Sequence, residues 1–113
     1  MRTHARIGHD ILARSDAPPG ELLLLQALVE GVIFSSPFAG IQWLREHAHV
    51  LNGIVRNNEF IVRDENLHAE LPCLVLTRYM LPGARPASAR AAALARQAVA
   101  LAEQFVGECF ARG

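Results

Sequence analysis

Apolar residues recur every three or four positions over most of this chain, the period of a helix that turns one face inward. From Glu21 the recurrence passes through Leu23, Ala27, Glu30, Phe34, Phe38 and Ile41 and predicts a helix over about 21–46. A second seam runs through Ile54, Asn58, Ile61, Glu65, His68, Val75 and Tyr79 and predicts a helix over about 51–81. Pro82-Gly83-Ala84-Arg85-Pro86 ends it. An Ala-rich segment with Leu94, Ala98, Leu101, Phe105 and Cys109 as its stripe predicts a third helix over about 87–110. Residues 1–14 read as a short helical arm, and the breaker cluster Ser15–Gly20 separates it from the rest. The division is therefore an arm and linker over 1–20 and a folded unit over 21–113. No hairpin pattern or repeat is present, and the expected class is all-α, with long antiparallel helices.

Two prolines interrupt the pattern. Pro37 falls inside the first long helix and Pro72 inside the second. An interior proline costs about 3 kcal/mol and removes a hydrogen bond to the carbonyl four residues earlier. Each helix should kink or bulge near its proline, and Pro72 should free the carbonyl of His68. Bulges inside helices often sit beside functional sites.

The seams also carry charge. Glu30 lies in the first, and Glu65 and His68, one turn apart, lie in the second. If the chain reverses near His47–Ala48, Glu30 and Glu65 stand at equal distances from the reversal, roughly 26 Å along each axis. They then meet at one depth. Buried carboxylates are expensive unless compensated, and a metal ion compensates two carboxylates and an imidazole well. One Glu on a helix plus Glu-x-x-His on its neighbour is half the ligand set of ferritin-like two-metal bundles. Oxygen-rich ligation with one imidazole suits iron or manganese. The plainer alternative is three polar residues on solvated faces.

Composition narrows the classes. The 113 residues suffice for one small domain, and 51% of them are hydrophobic. That points to a helical core or to apolar surface meant for another chain. Eleven basic and eleven acidic residues cancel, giving no support to nucleic-acid or anionic-membrane binding. The apolar runs Leu22–Leu25 and Val32–Phe34 are far shorter than a membrane span, and no secretory signal is evident. Cys73 and Cys109 read as two buried thiols in a reducing cytoplasm. His4, His9, His47 and His49 read as surface histidines, Asn58 as bonding a neighbouring helix, and Trp43 and Tyr79 as packing residues.

The stretches Val29-Glu30-Gly31-Val32-Ile33-Phe34-Ser35-Ser36-Pro37-Phe38 and Asn58-Glu59-Phe60-Ile61-Val62-Arg63-Asp64-Glu65-Asn66-Leu67-His68 resemble the small, radical-generating subunit of class I ribonucleotide reductase. Eukaryotic and viral members are the most similar. Ile41-x-Trp43-Leu44 and Glu103-Gln104-Phe105 fit the same pattern, and the likeness covers roughly residues 21–110. It implies a ferritin-like fold in which Glu30, Glu65 and His68 match three iron ligands. Phe34, Phe38 and Ile61 match the apolar pocket around a radical tyrosine; on their own they would be plain core packing. Asp64 matches an aspartate in the hydrogen-bonded path between the metal and the large subunit. The implied reaction is reduction of ribonucleoside diphosphates for deoxyribonucleotide synthesis, in the cytoplasm, with the large subunit doing the substrate chemistry.

The sequence departs from that pattern. The family's earlier ligands, an Asp and a second Glu-x-x-His, have no match, and Tyr79 does not match the radical tyrosine. The C-terminal helices and tail that dock on the large subunit also have no match. The turn after Trp43-Leu44 is one residue longer than usual and lacks a glycine, and Pro37 and Pro72 replace small residues. The expectation is therefore half a site, with no activity from this chain alone. Three accounts follow: a split or truncated small subunit completed by a polypeptide carrying the missing first half, a ferritin-like homodimer that binds two metals, or an inactive remnant.

Overall fold

Pro18 and Pro19 break the chain before the first helix and then start it. Proline at the first helical position gives up only an amide that has no partner there anyway. The computed structural model describes residues 16–48 and 52–110. Helix α1 spans Pro19–Leu28, with the amides of Glu21 and Leu22 closing on the Pro18 carbonyl at 2.9 and 3.1 Å. It passes without a break in direction into a π turn, Val29–Ile33, and then into α2, Ser35–Ala48. Helix α3 spans Asn52–Leu74 and runs into a second π turn, Val75–Tyr79. A short 3-10 turn, Pro82–Ala84, leads to α4, Ser88–Phe110. The described residues contain helices and turns and no strand, so the all-α expectation holds. Residues 1–15, with His4 and His9, and residues 49–51, with His49, lie outside the described residues.

The prolines act at helix ends rather than in helix middles. Pro37 sits in the first turn of α2, where its missing N–H costs little. The π turn just before it, closed by the Phe34 amide on the Val29 carbonyl at 2.9 Å, absorbs the irregularity. Pro72 is fully buried two residues before the end of α3. The bulge expected there falls after it, at Val75–Tyr79. Thr77 Oγ1 donates to the Cys73 carbonyl at 2.8 Å, and Arg85 donates to the carbonyls of Thr77 and Met80 at 2.8 and 3.0 Å. A guanidinium on the last carbonyls satisfies free acceptors and complements the helix dipole.

The α1–α2 rod and α3 are antiparallel neighbours. Gly31 lies against Ala69, whereas Arg45, further along, pairs with Glu59 at 2.8 Å. α4 packs on α1, α2 and the first π turn, and Arg90 at its start binds Glu21 at the start of α1. α4 thus runs parallel to α1. A close approach fixes that end: a Cβ on Gly20 would sit 2.3 Å from the Ala84 carbonyl oxygen.

The core is small. Leu25, Ala27, Ile33, Val55, Leu76, Leu94 and Ala98 are its buried apolar residues. Several seam residues expected inside lie outside: Ile54, Phe34, Ile61 and Tyr79 are 53, 40, 39 and 78% exposed. Their faces have no covering helix among the described residues. Cys73 and Cys109 are both exposed, which corrects the buried-thiol expectation; Cys73 follows Pro72 and faces away from it. Trp43 is largely exposed and stacks on His47 with ring centroids 4.5 Å apart. By length and composition Pro19–Ala48, 30 residues with a mean hydropathy of 1.7 in its most apolar window, is able to cross a membrane. Short apolar runs gave no sign of this, because the π turn joins two segments into one rod. Only 17% of that window is buried, so the rod calls for more apolar cover than α3 and α4 provide.

Candidate metal centre

The first π turn carries Glu30, and its wide turn sets that residue facing α3 at the level of Glu65. Glu65 and His68, three residues apart on α3, point the same way, with His68 Nδ1 3.1 Å from Glu65 Oε2. One donor atom from each of Glu30, Glu65 and His68 lies within 4.8 Å of the others. This is the one such cluster of three among the described residues. The antiparallel hairpin is what brings them together, but the reversal expected near His47–Ala48 is helical, and Glu30 stands 18 residues before the end of α2 whereas Glu65 stands 13 after the start of α3, so equal spacing does not set their shared level.

The electrostatics are strained without a cation. Burial, together with a hydrogen bond and the charge of Glu65, holds the Glu30 carboxyl above its ordinary pKa of 4.5. The hydrogen bonds from Glu30 and His68 hold Glu65 below that value. Glu65 thus lies between Glu30 and His68 and shares a hydrogen bond with each. Glu30 Oε2 is nevertheless buried with no hydrogen-bond partner. An orphaned carboxylate oxygen beside a second carboxylate and an imidazole is the environment a divalent cation relieves. The donor set, two oxygens and a nitrogen without thiolate, fits iron or manganese as the spacing suggested.

Beside the carboxylates a cavity of about 490 Å³ opens between α2 and α3, walled by Phe38, Ala39 and Val62, with Asn58, Gln42 and Ser35 as polar lining. Of the three residues assigned by resemblance to an apolar pocket, Phe38 lines it. Phe34 and Ile61 lie on partly exposed faces outside it. Asn58 is 6% exposed and lines the cavity. Asp64 is exposed, in a groove with Phe60 and Leu67, and takes no part in the ligand cluster. Gln42 and Ser35 were not singled out by the sequence. Only the fold places them on the wall, each about one turn from Phe38.

Sequence comparison gives a consistent result. The family described as ribonucleotide reductase, small chain, matches residues 2–113. The ribonucleoside-diphosphate reductase small chain of Acanthamoeba polyphaga mimivirus is 35% identical over 96 residues, covering 84% of this chain and 22% of that protein. The small chain of African swine fever virus is 35% identical over 96 residues, covering 83% and 28%. That of vaccinia virus is 34% identical over 87 residues, covering 77% and 26%. The chain spans about a quarter of the length of these curated relatives. No solved structure matches it.

Proposed function

Because this chain belongs to the ribonucleotide reductase small-chain family, we propose that Glu30, Glu65 and His68 hold one side of a two-metal carboxylate site serving ribonucleoside-diphosphate reduction. The observation that carries this reading is the convergence of three donor atoms within 4.8 Å around a buried, unpartnered Glu30 oxygen. When bound, iron with dioxygen supplies the oxidising power for making a tyrosyl radical; manganese is the alternative ion. The residues here do the holding. Glu30 and Glu65 each offer a carboxylate oxygen, and His68 offers a ring nitrogen. Asp64, next to Glu65, serves in this reading as a link in the hydrogen-bonded path toward the large subunit. Phe38, with Phe34 and Ile61 once they are covered, keeps reductants and water from the radical.

The remaining ligands and the radical tyrosine come from outside these 113 residues, so this chain alone turns over no nucleotide. A complementing polypeptide and the large subunit are the partners, in the cytoplasm. The test is metal titration of the chain by calorimetry and inductively coupled plasma analysis, with Glu65→Ala and His68→Ala beside the wild type. Stoichiometric Mn(II) or Fe(II) binding that both substitutions abolish supports the reading. Binding unchanged by either substitution refutes it.

A further inference from the structure

Gly31 follows one ligand in sequence, and Ala69 follows another. The two meet between the rods: a Cβ on Gly31 would stand 3.3 Å from the Ala69 Cβ. Carbon atoms in ordinary contact stand about 3.5–4.0 Å apart, so no side chain fits at 31 without a shift. The backbone there does not ask for glycine, because Gly31 lies in the π turn Val29–Ile33 with no left-handed φ. Glycine inside a helix is disfavoured against alanine. What the position gains is the room left by the missing side chain. Gly40 in α2 and Gly107 in α4, by contrast, have nothing within 4 Å of where a Cβ would stand. The contact also lies in a register that a second close approach shares. A Cβ on Gly20 would sit 3.0 Å from Met80 Sδ. Eleven residues lead from Gly20 to Gly31 on one rod, and eleven from Ala69 to Met80 on the other. Two glycines thus let the α1–α2 rod close on α3 at two levels, and the level of Gly31 is that of the ligands.

We propose that Gly31 is a positioning residue, whose contact with Ala69 sets the separation of the two rods at the ligand cluster. The inference rests on the metal-binding reading of Glu30, Glu65 and His68 and names what gauges the span between them. Glu30 and Gly31 are consecutive, and so are His68 and Ala69, so a shift at the contact is carried to donor atoms on both rods. A methyl group added at 31 requires a shift of a few tenths of an ångström. Metal–ligand distances tolerate about 0.2 Å, so a shift of that size is felt by a shared ion. Held by a glycine–alanine contact, the rods need no rearrangement to bring the three donors onto one ion.

Mn(II) titration of the full chain by calorimetry, with circular dichroism in chelator alongside, tests this. Gly31→Ala should keep its helical spectrum and bind Mn(II) about tenfold more weakly, as when groups that orient metal ligands are altered. Exchanging the two residues, Gly31→Ala together with Ala69→Gly, returns the space and should restore the wild-type affinity. Gly40→Ala, on the same rod but beside open space, should leave the affinity unchanged. Ala69→Val crowds the contact from α3 and should weaken binding as Gly31→Ala does, which keeps the test open should Gly31→Ala unfold. Wild-type affinity in a folded Gly31→Ala or Ala69→Val overturns the proposal and leaves the three-ligand reading standing. So does a loss that the exchange fails to restore, or an equal loss in Gly40→Ala. Absence of Mn(II) binding by the wild type overturns both.

Discussion

Replacing Glu30 by glutamine should stabilise the metal-free chain and destroy its response to metal. Glu30 sits half-buried with one oxygen unpartnered and the other shared with Glu65. A group that binds its proton more tightly when folded than when unfolded opposes folding once it ionises. Its favourable contribution is complete below the unfolded pKa, here 4.5, and is lost as the pH rises through the raised folded value. Glutamine removes that loss, and its amide donates to Glu65 as the protonated carboxyl does. Two like charges within 4.8 Å of one another in a water-like medium repel by about 1 kcal/mol, and the partial exposure of the pair keeps the gain near that value. For a domain of this size that is roughly 4–8 °C in Tm.

Thermal unfolding followed by circular dichroism, in chelator, reads this directly. The gain should be present at pH 7 and should vanish by about pH 4, where Glu30 is protonated in both states. With Mn(II) at about 100 times its dissociation constant the wild type should gain about 2.7 kcal/mol and the variant nothing, reversing their order. A variant less stable than wild type in chelator at pH 7 would refute the strained-carboxylate account. So would a gain of the same size at pH 4 as at pH 7.

Other perturbations probe the frame. Glu65→Gln should act oppositely to Glu30→Gln in chelator: Glu65 titrates below its ordinary value, so its stabilisation is present above the unfolded pKa and is lost as the pH falls through the folded one. Its loss should lower Tm at pH 7 and have little effect at pH 3. Gly20→Ala drives a Cβ to within 2.3 Å of the Ala84 carbonyl and 3.0 Å of Met80 Sδ; overpacking of this kind costs about 1–3 kcal/mol, measurable by urea unfolding. Arg45→Ala removes a surface pair with Glu59, both side chains about half exposed, and should change stability by less than about 1 kcal/mol in the same assay. The isolated chain, given iron and dioxygen, should show no tyrosyl radical by electron paramagnetic resonance. Its one tyrosine, Tyr79, is 78% exposed and lies about 16 Å along the helix from His68.

What could be read from the sequence, and what could not, follows from what periodicity encodes. Spacing reports which residues share a helix face, so the all-α class and the shared face of Glu65 and His68 were legible, and the antiparallel pairing of the two rods brought Glu30 to them. Spacing does not report which neighbour covers a face. Ile54, Ile61 and Phe34 have core periodicity and lie at an uncovered surface, and Cys73 faces outward beside a buried Pro72. Nor does it report an added residue. The π turn at Val29–Ile33 inserts one, and each residue rotates an α-helix by about 100°, so a seam drawn straight from Leu23 to Ile41 misses Leu25 and Ile33 as the buried positions. A kink or bulge in each helix was foreseen from Pro37 and Pro72, but not its position. In the first rod it falls where the chain presents Glu30. A carboxylate facing a second carboxylate in a helix seam is a local conflict in an otherwise consistent pattern, and such conflicts concentrate where a site needs them. The same conflict marks the uncovered face: a rod so apolar, carrying an acid with an unpartnered buried oxygen, calls for more cover than its own hairpin provides.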